Sequence, residues 1–178
     1  MEPAVWIRFT DIVQPQEVEE RVPALNLDFG YNYECKVEPL ELSFTVQPTE
    51  KGHRLDGGFD YQATAPCVRC LKPVPLSGSA RFDLEFRPAS QAPEEEDVDF
   101  VPGEPEIIYY DEDTLKLEEI VSQQMYLEVP DKLLCREDCK GLCLKCGADL
   151  NEGACGCPPA VDPRWEGLHP SPPQQKEF

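Results

Sequence analysis

Histidine is almost missing from this chain of 178 residues: there are two, His53 and His169. Neither lies in a His-Glu-x-x-His or other catalytic spacing. No Gly-x-x-x-x-Gly-Lys loop is present to cradle phosphate, and no Gly-x-Gly-x-x-Gly turn to take a dinucleotide. Carboxylates are so many that no pair stands out as general acid and base. An enzyme is therefore not expected, and no catalytic or cofactor-binding residue is assigned. Positive charge is also scarce. Sixteen Lys and Arg face 35 Asp and Glu, for a net charge of −19. That balance disfavours naked nucleic acid and anionic lipid, which bind through Lys and Arg neutralising phosphate. A basic protein partner fits it better. Long apolar runs are lacking too, so no membrane span is expected. The start, Met-Glu-Pro-Ala-Val-Trp-Ile-Arg, has no basic n-region and no apolar h-region, so no secretory signal is read there. The expected location is the cytoplasm, where thiols stay reduced.

Cysteine is the residue present in excess. Eight of the nine fall into metal-ligand spacings: Cys67-x2-Cys70, then Cys135-x3-Cys139-x3-Cys143-x2-Cys146-x8-Cys155-x-Cys157. Soft thiolates grouped this closely select zinc or an iron–sulfur centre over magnesium or calcium. The ferredoxin run is absent, which favours zinc. The odd number weakens a fully paired disulfide framework. Two sets of four are the preferred division. Cys143, Cys146, Cys155 and Cys157 form one, with Gly147 easing the tight turn and Asn151 and Gly153 supplying the return. Cys67, Cys70, Cys135 and Cys139 form the other, a long-range clamp. A rival division takes Cys139, Cys143 and Cys146 with Cys155 or Cys157. Two closed zinc sites would hold structure and leave no position for substrate. Each would add about two negative charges. The ninth cysteine, Cys35, has alternating apolar neighbours and reads as a small buried hydrophobe.

The predicted fold is α+β: an antiparallel β-meander or partly closed barrel, one main helix, and a C-terminal zinc-ribbon-like segment. Residues 1–130 form the β-rich core, 131–157 the cysteine-rich segment, and 158–178 a Pro-rich, mostly flexible tail. Residues 5–13 read as a first strand entering a polar link. Tyr31, Tyr33, Cys35 and Val37 share one strand face, and Leu40, Leu42, Phe44 and Val46 do so after Pro39. A turn at 50–53 leads to a strand over 55–65, where Gly57–Gly58 suggests a bulge or kink. Cys67–Cys70 tops a hairpin whose return strand runs over about 76–86. An acidic, Pro-rich loop follows near 91–106, where no Lys or Arg occurs between Arg87 and Lys116. It reads as a solvated arm, or as one that engages a basic partner. Glu106–Tyr110 is a short strand. A helix near 114–129, capped by Asp113 or Thr114, buries Leu117, Ile120, Val121, Gln124 and Met125 and stops at Pro130. In the tail, Asp162-Pro163 opens a short helix with Trp165 and Leu168 on one face. That face either docks on the chain itself or serves as a linear motif.

These pieces together resemble the YceD family of bacterial large ribosomal RNA subunit accumulation proteins. The resemblance lies in Cys67-Val-Arg-Cys-Leu-Lys-Pro-Val74, in the whole run from Leu134 to Cys157, and in Asp162-Pro-Arg-Trp165. It implies a part in ribosome biogenesis, through rRNA accumulation, and not a reaction. Taken with the charge, the expected function is a zinc-stabilised, non-enzymatic factor for large-subunit rRNA accumulation or ribosome assembly. Its expected partner is a basic ribosomal protein or assembly factor, with no membrane and no small-molecule substrate. The alternatives are a zinc-ribbon interaction module outside the ribosome and a thiol-based redox or metal-handling protein.

Overall fold

A computed structural model of the chain describes residues 6–30, 33–93 and 105–158. The elements in order are β1 (Trp6–Arg8), β2 (Gln16–Val22), β3 (Leu25–Asp28), β4 (Glu34–Val37), β5 (Leu40–Pro48), β6 (His53–Pro66), β7 (Pro73–Pro88), β8 (Glu106–Tyr110), β9 (Thr114–Lys116) and α1 (Leu117–Glu128). Most of the acidic loop, the helix expected around Trp165, and Tyr31 lie outside the described residues.

The long hairpin β6–β7 is the spine of the sheet, paired without a break from His53↔Phe86 to Pro66↔Pro73. Its length follows from strict alternation: Leu55, Phe59, Tyr61, Ala63 and Ala65 are buried on β6, and Ala80, Phe82, Leu84 and Phe86 on β7. β5 and β4 share the other edge of β6, and β2 and β3 lie outside them in turn. β8 joins β7 in parallel, so the sheet is mostly, not wholly, antiparallel. Among the described residues no pair links β8 back to β2, and the sheet stays open. Of the two expected forms, meander or partly closed barrel, no closed barrel is seen among the described residues. β1 and β9 make a separate two-stranded ribbon.

The expected bulge at Gly57–Gly58 is not there. Both glycines keep register with β5 and β7. They serve close approach instead. A Cβ on Gly57 would run into Phe44 and the Ser43 carbonyl, and one on Gly58 into the Ala80 carbonyl. The bulge lies at Glu38–Pro39. Between Val37↔Ala63 and Leu42↔Phe59, residues 38–41 oppose only 60–62. The extra residue switches the buried set from odd numbers (Cys35, Val37) to even ones (Leu40, Leu42). Proline has no N–H to give a ladder, and the next register sets Pro23 opposite Pro39 where β2 gives way to β3.

α1 covers the inner face of the sheet, reaching β7 and β3. Leu117, Ile120, Val121, Gln124 and Met125 are its buried residues, as the periodicity predicts. Its start differs from the expected cap. Thr114 belongs to β9, and the helix opens at Leu117 behind Lys116 with no side-chain cap. Asp113 accepts bonds from the N–H and Oγ1 of Thr10 instead, at 3.2 and 2.6 Å. It pins the N-terminal ribbon rather than the helix.

Candidate metal centres

Two knuckles present the cysteines. At the tip of the β6–β7 hairpin, Cys67 N–H donates to the Lys72 carbonyl (2.8 Å) and Leu71 N–H to the Cys67 carbonyl (2.9 Å). Beyond α1, Cys143 N–H donates to the Ala148 carbonyl (2.8 Å) and Gly147 N–H to the Cys143 carbonyl (2.8 Å). The second knuckle caps a small turnback, held by the Leu142–Asp149 bridge.

The structure gathers Cys67, Cys70, Cys135 and Cys139 in one group and Cys143, Cys146, Cys155 and Cys157 in the other. Within each, all four sulfurs lie within 4.8 Å of one another. Cys67 Sγ is 3.8 Å from Cys139 Sγ, and Cys70 Sγ is 3.5 Å from Cys135 Sγ. Four sulfurs placed tetrahedrally about 2.3 Å from one ion would stand roughly 3.8 Å apart. The donor sets therefore fit a four-thiolate metal, and both groups could hold an ion. The rival division through Cys139, Cys143 and Cys146 does not match the grouping. Cys35 stands apart, fully buried in the core.

The thiol acidities differ within each group. Burial alone would raise Cys67, but N–H groups of Cys70, Cys135 and Arg69 outweigh it and bring it down to about 6. N–H groups of Cys146 and Lys145 bring Cys143 down to about 6. Burial, then the thiols of Cys70 and Cys139, hold Cys135 up to about 12. The thiols of Cys146 and Cys155 do the same to Cys157, also to about 12. In the first group Cys67 and Cys139 are thus held low while Cys70 and Cys135 are held high; in the second, Cys143 is held low and Cys157 high. A divalent cation is the species that lifts the repulsion between neighbouring thiolates.

Burial separates the two groups. Cys67, Cys70 and Cys139 are buried, while no member of the second group is. Polar ties join them. Asn151, from the second loop, donates through Nδ2 to Cys139 Sγ (3.4 Å) and accepts at Oδ1 from Lys140 N–H and Arg136 (both 2.8 Å). Lys72, on the hairpin, reaches Asp149 at 2.7 Å and Glu152 at 3.1 Å. Arg69 donates to the Cys139 carbonyl at 2.7 Å, and its own carbonyl accepts from Leu142 N–H. The sequence marks Asn151 only as a turn residue. Nothing in the spacing shows that Lys72 and Arg69 tie the hairpin to a segment some 70 residues on, or that Asn151 ties the second loop to Cys139.

Residues 55–169 match the family described as large ribosomal RNA subunit accumulation protein YceD. The chain belongs to the YceD family. The match begins in β6 and takes in every candidate ligand. Among curated proteins, this YceD chain is 29% identical over 133 residues to an uncharacterised protein of Mycobacterium tuberculosis, covering 72% of the chain and 60% of that protein. It is 28% identical over 155 residues to a Zea mays protein named large ribosomal RNA subunit accumulation protein YCED homolog 1, chloroplastic, covering 74% and 52%. The Arabidopsis thaliana protein of the same name is 28% identical over 140 residues, covering 67% and 44%. The chain thus spans about half of the length of the curated relatives it matches. No solved structure matches it. No helix among the described residues is long and apolar enough to cross a membrane.

Proposed function

We propose that this YceD protein is a non-enzymatic factor, stabilised by two zinc ions, that supports large-subunit rRNA accumulation or ribosome assembly by holding a basic protein partner. The grouping of eight thiols into two four-sulfur sets carries the reading. Such sets leave no open ligand position, so an ion there holds fold and does no chemistry on a substrate. In this role Cys67, Cys70, Cys135 and Cys139 hold one ion, and Cys143, Cys146, Cys155 and Cys157 the other. The process comes from the family and from the names of the plant relatives. The partner class comes from the charge of −19, which repels bare RNA and speeds encounter with a basic protein. The proposal places the protein in a reducing compartment, the cytoplasm, where the thiols remain free for metal.

The test is native mass spectrometry with elemental analysis on protein purified without chelator, followed by capture from lysate at low salt. Two zinc ions per chain and co-purifying large-subunit proteins or precursor particles are expected. No ribosomal protein in the capture would sink the functional reading. A second reading, thiol-based redox or metal handling, draws on the partial exposure of the second group. It expects reversible loss of that ion under mild oxidant, with a change in partner binding.

A further inference from the structure

The two knuckles make the same turn with different residues. Their hydrogen bonds correspond one for one, and the residue after the second cysteine is left-handed in both: Leu71 at φ 60° and Gly147 at φ 72°. Glycine adopts that conformation freely, whereas a residue with a Cβ is strained in it. Leu71 is the only positive-φ residue other than glycine among the described residues. Burial does not offset the strain, because Leu71 is 63% exposed. Its neighbour Val68 is 42% exposed. Packing among the described residues gives no reason for a leucine at that position.

Both side chains line a groove of about 380 Å³, with Phe29, Tyr33, Pro66 and Val129. Its walls are tied down. Val68 N–H donates to the Leu133 carbonyl at 2.9 Å, and Phe29 packs edge-on against Tyr33 and Tyr126. Among the described residues Asp131 is the one charged residue in the lining, and Asp28 and Glu128 adjoin Phe29 and Val129 in the chain. The cations that flank Val68 and Leu71 are committed elsewhere: Arg69 to the Cys139 carbonyl, Lys72 to Asp149 and Glu152. Of the basic residues adjoining the lining in sequence, only Lys132 is left. The lining is mostly apolar, its charged residue among those described is acidic, and the chain as a whole carries −19.

We propose that this groove docks a segment of a partner protein that is apolar at its centre and basic at its flanks, with Leu71 and Val68 packing on the apolar anchor. The inference rests on the reading of a basic protein partner and names the surface that takes it. An exposed leucine held in strain contributes most when a partner covers it.

The test places the photo-crosslinker p-benzoylphenylalanine at Val68 in the full chain, expressed in cells of the source organism, and sequences the adducts. The expected adduct is a peptide of another protein with apolar residues between Lys or Arg. Adding Leu71→Gly is expected to cut its yield roughly tenfold or more while the melting temperature holds or rises, since glycine relieves the turn. Leu71→Met is expected to keep the yield. An adduct to residues 159–178 of the same chain, to a second copy, to an acidic peptide or to RNA overturns the proposal. So does no adduct, or a yield that Leu71→Gly leaves unchanged. The two readings fail separately. Ribosomal capture that Leu71→Gly does not reduce removes the groove and leaves the function. A basic adduct from a non-ribosomal protein keeps the groove and removes the ribosomal role.

Discussion

At the scale of single residues, Asn151 and the anchored thiolates would decide how a metal is held. Asn151 donates to Cys139 Sγ while its oxygen orients Lys140 N–H and Arg136. Groups that position a ligand in this way typically contribute ten- to a hundredfold in metal affinity. Asn151→Ala is expected to weaken the first group by about that much, read by competition with a chromogenic chelator. Asn151→Asp keeps the acceptor but loses the donor and adds a negative charge beside Cys139, so it is expected to weaken the group at least as much. The pH dependence follows from the thiols. Cys67 and Cys143, at about 6, are depressed below the ordinary thiol range, so their stabilising interactions are present above that range and are lost as pH falls through about 6. Cys135 and Cys157, at about 12, stay protonated at neutral pH until metal displaces their protons. Metal uptake is therefore expected to release protons, to strengthen as pH rises above about 6, and to reverse below it. A weakly buffered titration with a pH indicator measures this directly.

At the scale of elements, the close approach around Gly57 sets the spine of the sheet. β5 and β7 flank β6 there, and a methyl at Gly57 meets Phe44 and the Ser43 carbonyl, which are side chain and backbone of a paired strand. Neither can move without opening the ladder. Gly57→Ala is expected to destabilise the protein by about 1–3 kcal/mol, the usual cost of overpacking, as a lowered urea midpoint. A stability equal to that of the parent would mean that β5 stands farther from β6 than described. The bulge at Glu38–Pro39 is legible after the fact in the buried residues, which change from odd to even numbering across Pro39. The proline was readable as an interruption. Its effect on register needed the position of β6. β2 went unread because it is an edge strand rich in Glu, and charge protects an edge instead of marking a core face.

At the scale of the whole molecule, the first cysteine group is the clamp. It joins the hairpin tip to the segment after α1, closing a loop of 72 residues between Cys67 and Cys139. The second group closes only the turnback from Cys143 to Cys157. Treating each metal as a cross-link, loop-closure entropy gives about 4 kcal/mol for the long loop and about 3 kcal/mol for the short one. Cys67→Ser with Cys70→Ser is therefore expected to cost about 1 kcal/mol more than Cys155→Ser with Cys157→Ser. Denaturant unfolding of the metal-loaded variants compares them, and equal losses would deny the clamp.

The sequence by itself determined the donor chemistry, the preference for two groups of four, the alternating strands from Cys35 to Phe86, and the buried stripe of α1. These are local signals: ligand type, spacing, and periods of two and 3.6 residues. Only the tertiary structure decided that the sheet stays open, that β8 runs parallel to β7, that Asp113 holds the N-terminal ribbon instead of capping α1, and that Asn151, Lys72 and Arg69 bind the two cysteine groups together. Each of those depends on which distant segments meet, and backbone pairing and short polar contacts leave no periodic trace along the chain.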